Sequence, residues 1–229
     1  MGKFCFLKTL SVMFIGHILL SSCSAYHFKK NKNPLAIYGI KSLDIPLFSN
    51  QSILPRVSEV LTSEVHHVLS KYKDMKIYSY ANPSADGILV GIISTKDKRY
   101  QVYKTASRAY PTAELADSFG QGRKAFYLPQ TTNYDLSVRL ILIKGTDIAE
   151  VSELLQNGYL HSLKFHPKVM WEEEFGMTGG FARGLFDTLN PDSGGVVNYT
   201  NSEGNFEKSL RAVAKELGRR LKEEVLDVF

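Results

Sequence analysis

The sequence predicts an α+β layer, a mixed sheet of about four strands with two amphipathic helices packed on one face. Three observations predict it. Residues 57–72 and 206–225 each carry one apolar stripe at helical spacing, and Leu136, Val138, Leu140 and Leu142 recur with period two, alternating with Ser137, Arg139, Ile141 and Ile143. The apparent order of elements is strand, helix, strand, strand, strand, helix, and amphipathic elements of this kind must bury their apolar sides against one another.

Residues 1–22 are read apart from that fold. Lys3 and Lys8 give a positive start, and residues 10–20 form an apolar run broken by Ser11, Gly16 and His17. This is the order of a secretory signal, and the run is too short for a permanent membrane span. Leu20-Ser21-Ser22-Cys23 follows and resembles the lipobox of bacterial lipoproteins. The resemblance implies cleavage before Cys23, acylation of that cysteine, and a membrane-held protein outside the cytoplasm. An ordinary signal cleaved near Ala25 is the plainer alternative. Ser24 stands where inner-membrane lipoproteins often carry Asp, so by the same resemblance the outer membrane is expected, with the body facing the periplasm. The chain has two cysteines, Cys5 within the signal and Cys23, so no disulfide is expected in the mature body.

The formal net charge is +5, two units of which are Lys3 and Lys8. A balance this mild gives no argument for nucleic acid, and none is expected as a partner. Residues 23–34 are polar and basic, with Lys29, Lys30 and Lys32, and read as a lipidated tether. Residues 35–229 read as a single domain.

Along that domain, residues 38–48 alternate Leu43, Ile45 and Leu47 with Ser42, Asp44 and Pro46, the first strand. Pro46 cannot donate to a ladder and marks its end or an edge. Pro55 suits the first turn of a helix, whose stripe is Val57, Val60, Leu61, Val65, Val68, Leu69 and Tyr72. Residues 75–80 are a short second strand. Residues 88–93 are almost wholly apolar, which suits an interior strand covered on both faces, and residues 94–103 can extend it into a hairpin arm. Residues 106–133 contain Pro111, Gly120, Gly122 and Pro129 and read as a long loop with a short helix at 112–118. Residues 147–155 read as a short helix, 169–175 as a strand, and 176–195 as a glycine-rich loop. The last helix has the stripe Phe206, Leu210, Val213, Ala214, Leu217, Leu221 and Val225, with Thr200 and Glu203 as a capping box upstream.

Most chemical motifs fail on inspection. Pro191-Asp192-Ser193-Gly194-Gly195 is close to the nucleophile motif of trypsin-like proteases, but the matching histidine and aspartate contexts are absent, so a turn is expected. His161 and His166 adjoin no cysteine or carboxylate cluster, and His66 and His67 point to different sides of a helix, so no metal is expected. Gly176, Gly179, Gly180 and Gly184 match neither a phosphate loop nor a dinucleotide fingerprint. Glu172 and Glu174 share a face of a strand as an acid and base pair would, with a solvated face as the plainer reading. The expectation is a protein without catalysis or cofactor. One cluster is worth following: Lys96, Lys98, Arg99, Lys104 and Arg108, interleaved with Tyr100, Tyr103 and Tyr110. Cations on flexible stems beside tyrosines suit a phosphorylated amphiphile, and outside the cytoplasm that points to lipopolysaccharide. The alternative is a solvated hairpin arm.

The pieces together resemble the lipopolysaccharide-assembly lipoprotein family, LptE. The resemblance lies in Cys23 closely followed by Tyr26-His27-Phe28, in residues 39–50, in the helix at 55–72, in residues 85–93, in the strand at 134–143 and in the C-terminal helix. It implies two helices on a mixed sheet, seated as a plug in an LptD-like outer-membrane β-barrel, with lipopolysaccharide as ligand and lipid attachment at Cys23. Lys96, Lys98, Arg99, Lys104 and Arg108 are its lipopolysaccharide-binding candidates. Family members commonly have Cys-Gly-Tyr where this chain has Cys23-Ser24-Ala25-Tyr26, and residues 106–133 and 146–166 look like insertions. The alternative is another envelope lipoprotein scaffold or a secretion-complex subunit with a similar α/β module.

Overall fold

The computed structural model describes residues 32–79, 82–95, 103–111, 125–145, 167–183 and 194–228. Asn33 caps a 3₁₀ turn at Pro34–Tyr38, its Oδ1 accepting from the Leu35 N–H, and the turn closes at Gly39 with φ 74°. Strands β1 (Ser42–Asp44) and β2 (Ser49–Asn50) lead to helix α1 (Val57–Leu69). Then come β3 (Lys76–Tyr78), β4 (Gly87–Ser94), β5 (Tyr103–Pro111), β6 (Ala125–Lys144) and β7 (Val169–Ala182). Helix α2 (Gly194–Arg220) runs into a π-helical end at Leu221–Leu226.

The fold is α+β as expected, with seven strands among the described residues where the sequence reading gave about four. β3 and β1 are parallel, β1 and β2 are both parallel to β4, and β4 is antiparallel to β6. β6 is the spine, antiparallel also to β5 and β7.

Both helical stripes close on one face of the sheet. Val57, Leu61, Val65 and Leu69 of α1 and Leu210, Leu217 and Leu221 of α2 are at most 1% exposed, and they share a core with Leu89, Ile93, Val138, Leu140, Leu142 and Phe175. Each such side chain contributes about 1.5–3 kcal/mol on leaving water. The helices cross tightly at Gly218, where a Cβ would lie 2.9 Å from Val68 Cγ2. The opposite side of β4 and β6 is also buried, at Ile88, Val90, Ile92, Ile141 and Ile143. That two-sided burial is why β4 reads as a continuous apolar run.

Several boundaries differ from the sequence reading. The first strand shrinks to Ser42–Asp44, and α2 begins at Gly194, which puts Thr200 and Glu203 inside the helix rather than at its cap. Much of residues 106–133 is strand. Ser94 stands opposite Ser137 and Tyr103 opposite Tyr134, so β5 extends the line of β4 along one side of β6 and forms a β5–β6 ribbon; the hairpin arm expected at 94–103 falls mostly outside the described residues. Pro129 does not break it because it sits at a bulge. Ala106 pairs Thr131 and Ser107 pairs Pro129, leaving Gln130 extra on β6. The readings of residues 1–22, 112–118 and 147–155 lie outside the described residues.

Residues 176–182 are likewise strand, not loop, and two of their glycines, Gly179 and Gly180, answer a steric demand. At Gly179 a Cβ would lie 2.2 Å from Tyr134 Cζ, and at Gly180 one would lie 2.4 Å from Asn133 Oδ1. The outer edge of β7 is guarded by α2. Arg220 donates to the Gly176 carbonyl at 3.0 Å, the Gly180 N–H donates to Ser209 Oγ at 3.1 Å, and Asn205 donates to the Ala182 carbonyl at 3.0 Å.

Candidate functional site

Cys23, Lys96, Lys98 and Arg99 lie outside the described residues, as do Ser193, His161 and His166. Lys104 and Arg108 fall on β5, opposite Asn133 and Leu128 of β6. The extra residue of the bulge is on β6, so alternation along β5 is unbroken and the two positions occupy the same side of the ribbon. Of the five basic candidates, these two are the ones brought into one register.

Glu172 and Glu174 have a common partner. Glu172 and Glu174 flank Arg139 of β6, with N–O separations of 3.6 and 3.4 Å, and the Ser137 hydroxyl donates to Glu174. The shared face expected from the sequence is present, but a guanidinium occupies the space between the two acids. His66 lies 3.3 Å from Ser79 Oγ. No group of three or more metal-capable side chains occurs among the described residues, and no helix among them is long and apolar enough to cross a membrane.

Asp44 is an acid the sequence reading assigned only to a strand. It is 1% exposed; Oδ2 accepts the Asn82 N–H at 3.3 Å, while Oδ1 has no hydrogen-bond partner. Burial pushes its carboxyl pKa up, opposed by the backbone hydrogen bonds of Asn82 and Ile45. Asp86 shows the reverse. It accepts the N–H groups of Lys41 and Ser42 and the Ser42 hydroxyl at 2.8–2.9 Å, and these bonds hold its pKa down. A carboxyl whose folded pKa lies above its unfolded value binds more protons folded than unfolded, so its burial penalty acts fully above the folded pKa and fades as pH falls through it. Asp44→Asn keeps an acceptor for Asn82 and removes the charge. It is expected to raise stability by about 1 kcal/mol at pH 7 and by less at pH 4, read from urea midpoints at the two pH values. A gain that is equal at both would refute the charge argument.

A cleft of about 380 Å³ opens where the start of α1, the end of β7 and α2 meet. Its walls include Arg56, Phe181, Arg183, Tyr199, Glu203 and Phe206. Arg56 precedes α1 in a left-handed conformation, φ 61°, which an L side chain adopts at a cost. Its guanidinium is ion-paired with Glu207 of α2. Phe181 and Phe206 meet edge to face, 5.4 Å between centroids. Arg183 lies 5.4 Å from the Phe181 ring centre and donates from Nε to Thr132 Oγ1 at 2.9 Å. No sequence motif announced this cleft, because its residues come from three elements far apart in the chain.

The class defined by these features is an α+β chain with two helices on one face of a mixed sheet. No family model matches the sequence, and no curated protein matches it. Solved structures match at low similarity. A lipoprotein of Neisseria meningitidis is 9% identical, covering 73% of this chain and 96% of that one, with a TM-score of 0.33. A minor lipoprotein of Acinetobacter baumannii is 8% identical, covering 82% and 94%, with a TM-score of 0.34. The PelC dodecamer of Paraburkholderia phytofirmans is 14% identical, covering 76% and 88%, with a TM-score of 0.31. Likeness at this level does not assign a family.

Proposed function

We propose that this chain is a lipid-anchored envelope protein that works by binding, and that it plugs an LptD-like outer-membrane β-barrel and holds lipopolysaccharide during its assembly into that membrane. The observation that carries the reading is the Leu20-to-Cys23 junction behind a charged and then apolar leader, because it sets the compartment and with it the partners within reach. The element order supports it: the LptE resemblance implies two helices on one face of a mixed sheet, and the described residues have that arrangement. Lys104 and Arg108 on one side of the ribbon supply cations for phosphate.

A second reading, another envelope scaffold or secretion-complex subunit, is favoured by the ribbon itself. Residues 106–133 look like an insertion against the LptE pattern, and a plug with an added arm must still fit its barrel. One experiment separates the two. Affinity purification from detergent-solubilised membranes is expected to recover a barrel protein, and depletion of the chain to lower that barrel by about tenfold. Lys104→Gln with Arg108→Gln is expected to lower co-purified lipopolysaccharide by about tenfold, the loss of roughly one charge-assisted contact. Normal barrel levels after depletion would sink the first reading, and a large homo-oligomer on gel filtration would support the second.

A further inference from the structure

The cleft between α1, β7 and α2 presents two opposite charges without ionic partners among the described residues, inside an aromatic wall. Among the described residues, the Arg183 guanidinium meets the Thr132 hydroxyl and the Phe181 ring, and no carboxylate. With Nε taken by Thr132, its two Nη groups remain to form a fork on a carboxylate or phosphate. Glu203 lines the same cleft and is ion-paired with no cation among the described residues. The remaining charges there are paired, Glu207 with Arg56 and, at 3.9 Å, with Arg211. Tyr199 is 71% exposed at the rim, and Phe181 and Phe206 form an apolar wall.

We propose that this cleft binds a small zwitterion, with its anionic oxygens on Arg183, its ammonium on Glu203 and its hydrocarbon part against Phe181 and Phe206. The charge balance selects this class. A polyanion would meet Glu203 and Glu207 as well as the arginines, and a simple cation would leave Arg183 facing apolar walls with no counter-charge, whereas one molecule bearing both charges satisfies both residues. Size agrees. About 380 Å³ lies at the small end of ligand sites, room for one headgroup or one amino acid but not for a whole multi-chain glycolipid. Two sources share the chemistry, an ethanolamine phospholipid headgroup and an apolar α-amino acid. The site is separate from the β5–β6 ribbon and stands whether or not the barrel reading holds.

The test uses the full acylated chain in dodecyl maltoside, titrated with glycerophosphoethanolamine and, separately, with L-phenylalanine, followed by saturation-transfer NMR. Glycerol phosphate and ethanolamine serve as the half-ligands. At least one zwitterion is expected to bind about tenfold tighter than either half, and the one that does identifies the source. Glu203→Gln and Arg183→Met are each expected to weaken it by about tenfold, while Glu216→Gln, outside the cleft, leaves it unchanged. Arg183→Met also removes the bond to Thr132, so Glu203→Gln, an exposed substitution of the same shape, carries the test where folding suffers. Absence of binding by both zwitterions, half-ligands that bind as tightly, or full affinity in Glu203→Gln would each overturn the proposal.

Discussion

Replacing Tyr134 by alanine is expected to cost about 3–5 kcal/mol of folding stability, the range for truncating a large buried aromatic. Tyr134 is fully buried where β6, β7 and α2 meet. Its ring sits edge to face with Phe206 at 5.7 Å, its hydroxyl lies 3.0 Å from Ser209 Oγ, and its ring fills the space over Gly179. A domain holds only about 5–15 kcal/mol in total, so the variant should keep a small remainder. Tyr134→Phe isolates the hydroxyl and should cost about 1 kcal/mol. Gly179→Ala alone forces a methyl into the ring and should cost about 1–3 kcal/mol. In the Tyr134→Ala background the obstruction is gone, so the double variant should lose clearly less than the sum of the two, because contacting sites do not add. Urea denaturation of the four proteins reads the cycle. Strict additivity would show that the ring is not what requires glycine at 179.

Cys23→Ala is expected to abolish acylation and to lower the outer-membrane share of the chain by about tenfold or more, since each acyl methylene lost removes about 0.8 kcal/mol of membrane attachment. Intact-mass spectrometry of the purified native chain and membrane fractionation check it together. A mature chain that starts at another residue, or a Cys23→Ala variant that stays in the outer membrane, would remove the basis of the envelope assignment. The body of the protein should fold in either case, because its core is built from residues 35 onward.

The two helices, β4 and residues 136–143 of β6 were legible because their burial is written in local sequence. Val57 to Leu69 and Phe206 to Val225 repeat at helical spacing, residues 88–93 are one apolar run, and Leu136, Val138, Leu140 and Leu142 recur at every second position. What escaped was strand structure whose composition argues for loop. In β7 the period-two signal was present in Phe175, Met177 and Gly179, all facing the helices, but glycine content outweighed it. Gly179 and Gly180 belong to the space needs of Tyr134 and Asn133, which are distant in sequence and so invisible in the segment itself. In the ribbon, Pro129 argued against a strand, and only the bulge at Gln130 reconciles the two. The basic cluster was found as composition, and its two described members, Lys104 and Arg108, share a register. Glu203, read from the sequence as a helix cap, and Arg183 are brought together by tertiary structure alone.

The hydrogen bonds from Asn205, Ser209 and Arg220 to β7 tie the fate of that strand to the C-terminal helix. While the helix is docked, a neighbouring chain finds those positions already occupied. When it lifts away, the same carbonyls and amide become a template for cross-chain zippering. Production in the cell therefore carries a window of risk, since the helix leaves the ribosome after β7, which waits uncovered until it arrives.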